Sequence, residues 1–454
     1  PSGAPYAFPF KKSLQSELNL FFDALDLRGD PPTKSAFCKA RKKLSLLFFE
    51  HLFARLVELF YHHCSYQTYR GYRLWACDGS ALQLPDSVEN RQIGTHTNQY
   101  GEFASAKLIG YFDVLNHLLT RFWIENKRVQ ELRLIQGRID QVPSDVIAIY
   151  DRIYGSHLLI WLHTHYGSNC LIRLKTTFSN TVIDFLSSGQ QELVVTETLA
   201  ESCWRELRKM GYQKSKYHQI TYRLIRVELP SETEVLATTL LDERFTPDDF
   251  AELYRLRWGI ETCFDYLKNV FKAPIFSGYS PLAVQQDIWS TAIAYNLQTV
   301  LLKETESRLA EINKRRRRRY QVNRNVGLTT LKQKIVPLFT VPSKQVEVVG
   351  DWLTRRFLRS LERIYDGPSK QRERKMLRGN GARLGIVIRR KRIISPRCKL
   401  FELFYFLVGL ALLQNALSRG ARHAFAYAFQ RKVTFDMDYL ICLLLHKLPA
   451  TQLP

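Results

Sequence analysis

A chain of 454 residues exceeds what one ordinary core organises, so about two to four domains are expected. Its 45% hydrophobic and 12% aromatic content excludes the intrinsically disordered class, and a formal charge of +23 favours a polyanionic partner, nucleic acid ahead of an anionic membrane surface. The charge is unevenly placed: residues 303–399 hold 28 Lys or Arg against 8 Asp or Glu.

The chain opens at Pro1 without a methionine, which reads as a fragment, and no secretory signal follows. Residues 11–27 carry apolar side chains at helical spacing and stop at Gly29-Asp30-Pro31-Pro32. Thr33 or Ser35 can cap a second, basic helix, and residues 46–63 form a third. Three helices with a basic middle member read either as a small DNA-binding bundle or as a helical cap with solvated lysines. Residues 72–84 are apolar on both faces, as in a central strand, yet Asp78 stands in their middle. A carboxylate there either binds a cation or begins an Asp-Gly turn. Residues 108–115 and 118–124 predict a hairpin around Asn116-His117, and residues 129–139 an amphipathic helix. Residues 146–150 predict a short buried strand ending at Asp151, where open α/β sheets place ligand-binding side chains. A helix over 156–165 and a strand over 170–175 follow. The pattern then turns β-rich over 176–242, which reads as an insertion.

Residues 245–271 predict one helix. Thr246 and Asp249 form a capping box, Pro247 takes the first helical position, and Gly259 is the weak link, at about 1 kcal/mol against Ala. Tyr254, Arg257, Glu261 and Lys268 fall on one face as a polar stripe about 20 Å long. A further helix runs from Ser280-Pro281 to about Lys303, and the six cations 314–319 read as solvated side chains able to contact phosphate. Leu400 to Leu413 is strongly apolar but, with Glu402 inside it, falls short of the roughly 20 residues needed to span a bilayer, so no membrane span is expected. Eight cysteines without CxxC spacing predict reduced core thiols and a cytosolic setting.

Asp78, Asp151 and Glu261 are the chemically informative set. Carboxylates without His or Cys suit hard cations such as Mg²⁺ or Mn²⁺, and two such ions suit phosphoryl transfer on nucleic acid. Arg257 and Lys268 can hold phosphates near the scissile bond, although an ordinary Arg257–Glu261 ion pair on a surface helix gives the same spacing. Trp204 and Trp258 read first as packed core residues and second as stacking surfaces for an end base.

The spacing Tyr254-x2-Arg257-x3-Glu261-x6-Lys268 resembles the signature of the IS4 family of bacterial DDE transposases. So do Leu253 to Glu261 (LYRLRWGIE), Asp78-Gly79-Ser80, and the stretch beginning at Phe276. The resemblance covers about residues 33–334. It implies an α/β fold with an RNase H-like core, a β-rich insertion before the Glu-bearing helix, an N-terminal helical domain, and a basic, mainly helical C-terminal region. The expected boundaries are 1–66, 67–175, 176–245, 246–312, 313–399 and an apolar tail of unknown role at 400–454. The same resemblance implies Asp78, Asp151 and Glu261 as catalytic metal ligands for Mg²⁺ or Mn²⁺, two ions, with no small-molecule cofactor. It assigns DNA contacts to Tyr254, Arg257 and Lys268, with Arg152 beside the second Asp. The partners it implies are double-stranded DNA with terminal inverted repeats, target DNA and a second copy of the chain, in the bacterial nucleoid. A nuclease without strand transfer and an inactive DNA-binding descendant are the alternatives. Besides the N-terminus and the unfamiliar tail, one departure lies within the motifs. The family usually follows its second Asp with Arg-Gly-Tyr, whereas this chain has Arg152-Ile153-Tyr154, and isoleucine lacks glycine's freedom at positive φ. That predicts a reshaped loop after Asp151.

Overall fold

The computed structural model describes residues 13–24, 31–98, 101–213, 219–230, 232–270, 276–303, 305–340 and 343–364. The apolar run 400–413, the rest of the tail and the cations beyond 364 lie outside the described residues. Two compact units emerge, residues 45–299 and a second made from the parts before and after them.

The chain begins with α1 (Leu14–Ala24) and α2 (Lys34–Arg41) of the second unit. The larger unit then runs through α3 (Leu46–His63), β1 (Arg73–Gln83), α4 (Val88–Ile93), β2 (Thr95–Asn98), β3 (Gly101–Asp113), β4 (Leu118–Asn126) and α5 (Glu131–Gln136). It continues with β5 (Val146–Tyr150), α6 (His157–Tyr166), β6 (Asn169–Leu174), α7 (Asn180–Ser187), β7 (Glu192–Thr198), α8 (Glu201–Lys209), β8 (Gln219–Glu228) and β9 (Thr233–Thr238). Three helices follow: α9 (Pro247–Leu256), α10 (Trp258–Val270) and α11 (Pro281–Lys303), the last crossing into the second unit. That unit adds α12 (Glu306–Lys314), β10 (Tyr320–Val322), α13 (Arg324–Thr340), α14 (Ser343–Leu358) and β11 (Leu361–Arg363). Short 3₁₀ turns lie at Ile139–Gln141 and Arg152–Tyr154.

The fold is mixed α/β around a nine-stranded sheet. Its main path runs β2-β3-β1-β5-β6-β9-β8-β7, and β4 also pairs with β3. Only β1, β5 and β6 run parallel to one another. The reason is in their composition: Leu74–Cys77 and all of β5 are fully buried, as strands covered on both faces must be. The β-rich segment adds β7, β8 and β9 to this same sheet through antiparallel pairing of β9 with β6. On the β4 side, Asn296 of α11 accepts from Leu119 N–H at 3.0 Å and donates to Leu119 C=O at 2.8 Å, satisfying backbone groups at the edge as a neighbouring strand would.

Two expectations need correction. Residues 129–139 hold only the short α5, followed by a 3₁₀ turn. Residues 245–271 do not form one helix either, because the ladder tightens at Arg257: its N–H bonds Tyr254 C=O at 3.1 Å, and Ile260 N–H bonds Arg257 C=O at 3.2 Å. The break falls beside Gly259, where a Cβ would lie 3.3 Å from Val114 and 3.5 Å from Phe112, so the chain presses there against the sheet. The start of α9 is as expected, with the Thr246–Asp249 capping box formed and Asp249 also receiving Tyr69 Oη and Arg70, the latter at 3.0 Å. In the second unit α13 packs on α14, and Lys314 to Arg319 are exposed, with the Arg316 guanidinium 4.5 Å from the Tyr320 ring centre.

Candidate active site

The parallel pairing of β1 and β5 sets the geometry. Arg73 to Ala76 pair with Val146 to Ile149 at a constant offset, and extending that offset by two residues brings Asp78 opposite Asp151. Two residues along a strand share a face, so the two carboxylates leave the sheet on one side. Asp78 sits mid-strand and Asp151 one residue past β5, where it caps the 3₁₀ turn. The helix α10 packs across β1 and β3 and brings Glu261 to them.

The three carboxylates influence one another electrostatically. Burial pushes the Asp78 carboxyl up to about 6; the Gly79 N–H and Arg257 oppose the rise, and the charges of Asp151 and Glu261 add to it. Each carboxylate uses one oxygen locally. Asp78 Oδ1 accepts from Gly79 N–H at 2.8 Å, Asp151 Oδ1 from Ile153 N–H at 2.7 Å, and Glu261 Oε1 from Arg257 Nη2 at 2.6 Å. The second oxygen of each has no hydrogen-bond donor among the described residues. Among those residues no three His, Cys, Asp or Glu side chains stand close enough to close a metal site by themselves. Glu261 is turned toward Arg257 instead. The donor set nonetheless suits a hard cation: three carboxylates, no sulfur or imidazole, and one of them held partly desolvated against like charge.

The remaining stripe residues divide. Arg257 is half-buried; burial disfavours its charge, but Glu261, Tyr254 and Asp78 together raise its pKa. The Tyr254 hydroxyl is pushed up chiefly by burial, against the pull of Arg257 and Arg173. Lys268 lies farther along α10 and pairs with Asp265 at 3.2 Å. Arg152 is exposed, and its side chain makes no hydrogen bond or ion pair among the described residues. Trp204 is buried at 1% exposure, as expected, whereas Trp258 is 65% exposed beside Arg257, so the reading of Trp258 as a core residue is corrected. Gly259 explains the difference, since it takes the sheet-facing position and leaves its neighbour outward. Arg70 and His117 are the non-glycine residues with positive φ among those described, so Ile153 needs no glycine-like backbone, and its side chain stands 65% exposed.

Sequence reasoning missed Arg173 and Glu234, which pair at 2.8 Å and act electrostatically on Tyr254. A charged residue inside an apolar strand was their signal, as it was for Asp78.

Carboxylates flanked by arginine are a donor set that metal-dependent phosphoryl transfer can use. The family model for the transposase DDE domain matches residues 69–297, and the chain belongs to that family. It is 25% identical over 284 residues to the transposase InsG for insertion sequence element IS4 of Escherichia coli (strain K12), an alignment covering 60% of this chain and 62% of that protein. Both matches bear out the expected resemblance to IS4-family DDE transposases. A solved piggyBac transposase synaptic complex with hairpin DNA aligns over 52% of this chain and 48% of its own, at 9% identity and a TM-score of 0.35, too low to read a shared fold from.

Proposed function

We propose that the chain is a cut-and-paste DNA transposase acting on double-stranded DNA at terminal inverted repeats. What supports this reading is that Asp151, Glu261 and Arg257 all act electrostatically on the buried Asp78, in a DDE-family chain. The order β4-β3-β1-β5-β6, antiparallel through β1 and parallel after it, supports an RNase H-like core, with residues 176–245 as the insertion before the Glu-bearing helix.

In this reading Asp78, Asp151 and Glu261 hold Mg²⁺ or Mn²⁺, two ions in all. Bound there, the ions would supply Lewis acidity to the scissile phosphate and to the attacking and leaving oxygens. The protein's own groups orient the DNA. Arg257, released from Glu261, grips a phosphate oxygen, and the Tyr254 hydroxyl donates to a neighbouring one. Lys268 and Arg152 hold flanking phosphates. A water oxygen attacks the phosphorus at the element end, the bond to the 3′-oxygen breaks, and that oxygen takes a proton and leaves as a 3′-hydroxyl. The hydroxyl then attacks a target phosphodiester, forming one P–O bond as the target's own 3′-oxygen departs. Two ends must be brought together, so the working form is a homodimer on the nucleoid DNA.

A duplex ending in the 3′-hydroxyl of the gene's flanking repeat, mixed with target plasmid and Mg²⁺, tests this directly. Joined products are expected. Hydrolysis without joining would make the chain a nuclease, and no reaction with Mg²⁺ or Mn²⁺ would leave an inactive DNA-binding descendant.

A further inference from the structure

The backbone pairing that aligns Asp78 with Asp151 ends before it reaches them, since Ala76–Ile149 is the last pair of β1 and β5. Across this unpaired gap lies a carboxylate that the reaction does not use. Glu131, the first residue of α5, receives the Tyr154 hydroxyl on Oε2 at 2.9 Å and pairs through Oε1 with Lys107 Nζ at 3.1 Å. Lys107, on β3 opposite Ala81, also donates to Val129 C=O at 2.9 Å, so it ties down the segment that leads into α5. Tyr154 is fully buried and closes the 3₁₀ turn capped by Asp151, whose C=O receives the Tyr154 N–H at 3.1 Å. On the other side, the Glu131 carboxyl fills the space of the missing side chain at Gly79: a Cβ there would collide with Glu131 Cδ. Gly79 is the residue whose N–H holds Asp78 Oδ1.

Glu131 thus touches the backbone beside Asp78, the turn that starts at Asp151, and β3. We propose that Glu131 is a positioning residue that, with Lys107 and Tyr154, fixes the separation of Asp78 and Asp151 where the strands no longer pair. The proposal rests on the metal-binding reading of those two carboxylates. Partners of this kind set ligand orientation, and their loss commonly weakens metal affinity by about 10- to 100-fold.

Mn²⁺ binding to the full chain, followed by calorimetry without DNA, provides the test. Glu131→Ala is expected to lose about 10- to 100-fold in affinity, and Glu131→Gln, which keeps the shape and an acceptor for Tyr154, a smaller part of that. Asp78→Asn separates the two claims. Loss of binding in Asp78→Asn with wild-type affinity in both Glu131 variants overturns the positioning role alone, whereas wild-type affinity in all three overturns the metal reading and the positioning role together. Thermal unfolding of Gly79→Ala, Glu131→Ala and the double variant supplies a readout independent of metal. Because an alanine at 79 collides with Glu131, the double variant should melt above the sum of the two single shifts. Additive shifts would contradict the contact, and Glu131→Gln keeps the affinity test available should the alanine variant not fold.

Discussion

A carboxylate in a buried strand opposes folding unless a cation or donor compensates it, and Asp78 is in that position. Its folded pKa of about 6 lies above the ordinary 3.8, so its favourable contribution is complete below about pH 4 and is lost as pH rises through 6. In the metal-free protein above pH 7, Asp78→Asn should therefore raise stability by about 1 to 3 kcal/mol while removing cleavage. Denaturant melts with EDTA measure the first effect, and an unchanged or lowered midpoint would contradict it. The sequence marks Asp78, Asp151 and Glu261 as candidates because two are carboxylates in or at the end of apolar strands and the third falls in a polar stripe. Glu131, Lys107 and Tyr154 are not so marked. Their meeting depends on how α5, β3 and the 3₁₀ turn fold around Gly79, and no local spacing reports that.

Strand periodicity carried far enough to outline β1, β3, β4, β5 and β6, and capping chemistry fixed the start of α9. The break at Arg257 lay beyond it, since Gly259 in a helical pattern lowers propensity without saying whether the ladder yields. Tertiary contact decides the matter, because α10 must seat Gly259 on Phe112 and Val114. Gly259→Leu should therefore cost about 1 to 3 kcal/mol through overpacking and lower activity by shifting Glu261, a combination that melts and cleavage rates together would reveal. A second element-level link is the buried chain Tyr111 Oη–Tyr150 Oη (2.7 Å), Tyr150 Oη–His163 Nε2 (2.9 Å) and His163 Nδ1–Ser168 Oγ (2.7 Å), which joins β3, β5 and α6. Burial lowers His163 from 6.5 to about 3. A base with a depressed folded pKa contributes stability that is present above pH 6.5 and lost as pH falls toward 3, at up to about 1.4 kcal/mol per pH unit. His163→Gln should flatten the stability profile between pH 6 and 4, and an unchanged slope would count against this source.

At the scale of the molecule, charge and chemistry occupy different parts of the chain. The carboxylates belong to residues 45–299, whereas the exposed cations Lys314 to Arg319 belong to the second unit. Such cations bind phosphate without reading sequence, and each contact adds about 0.9 to the slope of log affinity against log salt. Replacing the six by serine should reduce that slope by up to about 5 and leave the cleavage position unchanged, as salt titrations and end mapping would record. An unaltered slope would move the phosphate contacts elsewhere. The surplus of positive charge favours a polyanionic partner from composition alone, but the extension of one sheet by β7, β8 and β9 did not show there, because strand patterns do not name their partners.

The central claim is that Asp78, Asp151 and Glu261 act together in cutting DNA. Cleavage of duplex carrying the gene's flanking repeats, with and without Mg²⁺, for the wild-type chain and Glu261→Gln at equal folding, measures it most directly. The account predicts Mg²⁺-dependent cuts that leave 3′-hydroxyl ends at the repeat boundary, reduced at least about 1,000-fold in Glu261→Gln, the scale of losing a group that acts in the transition state. Equal cleavage by both proteins, or cutting that persists in EDTA, would contradict it.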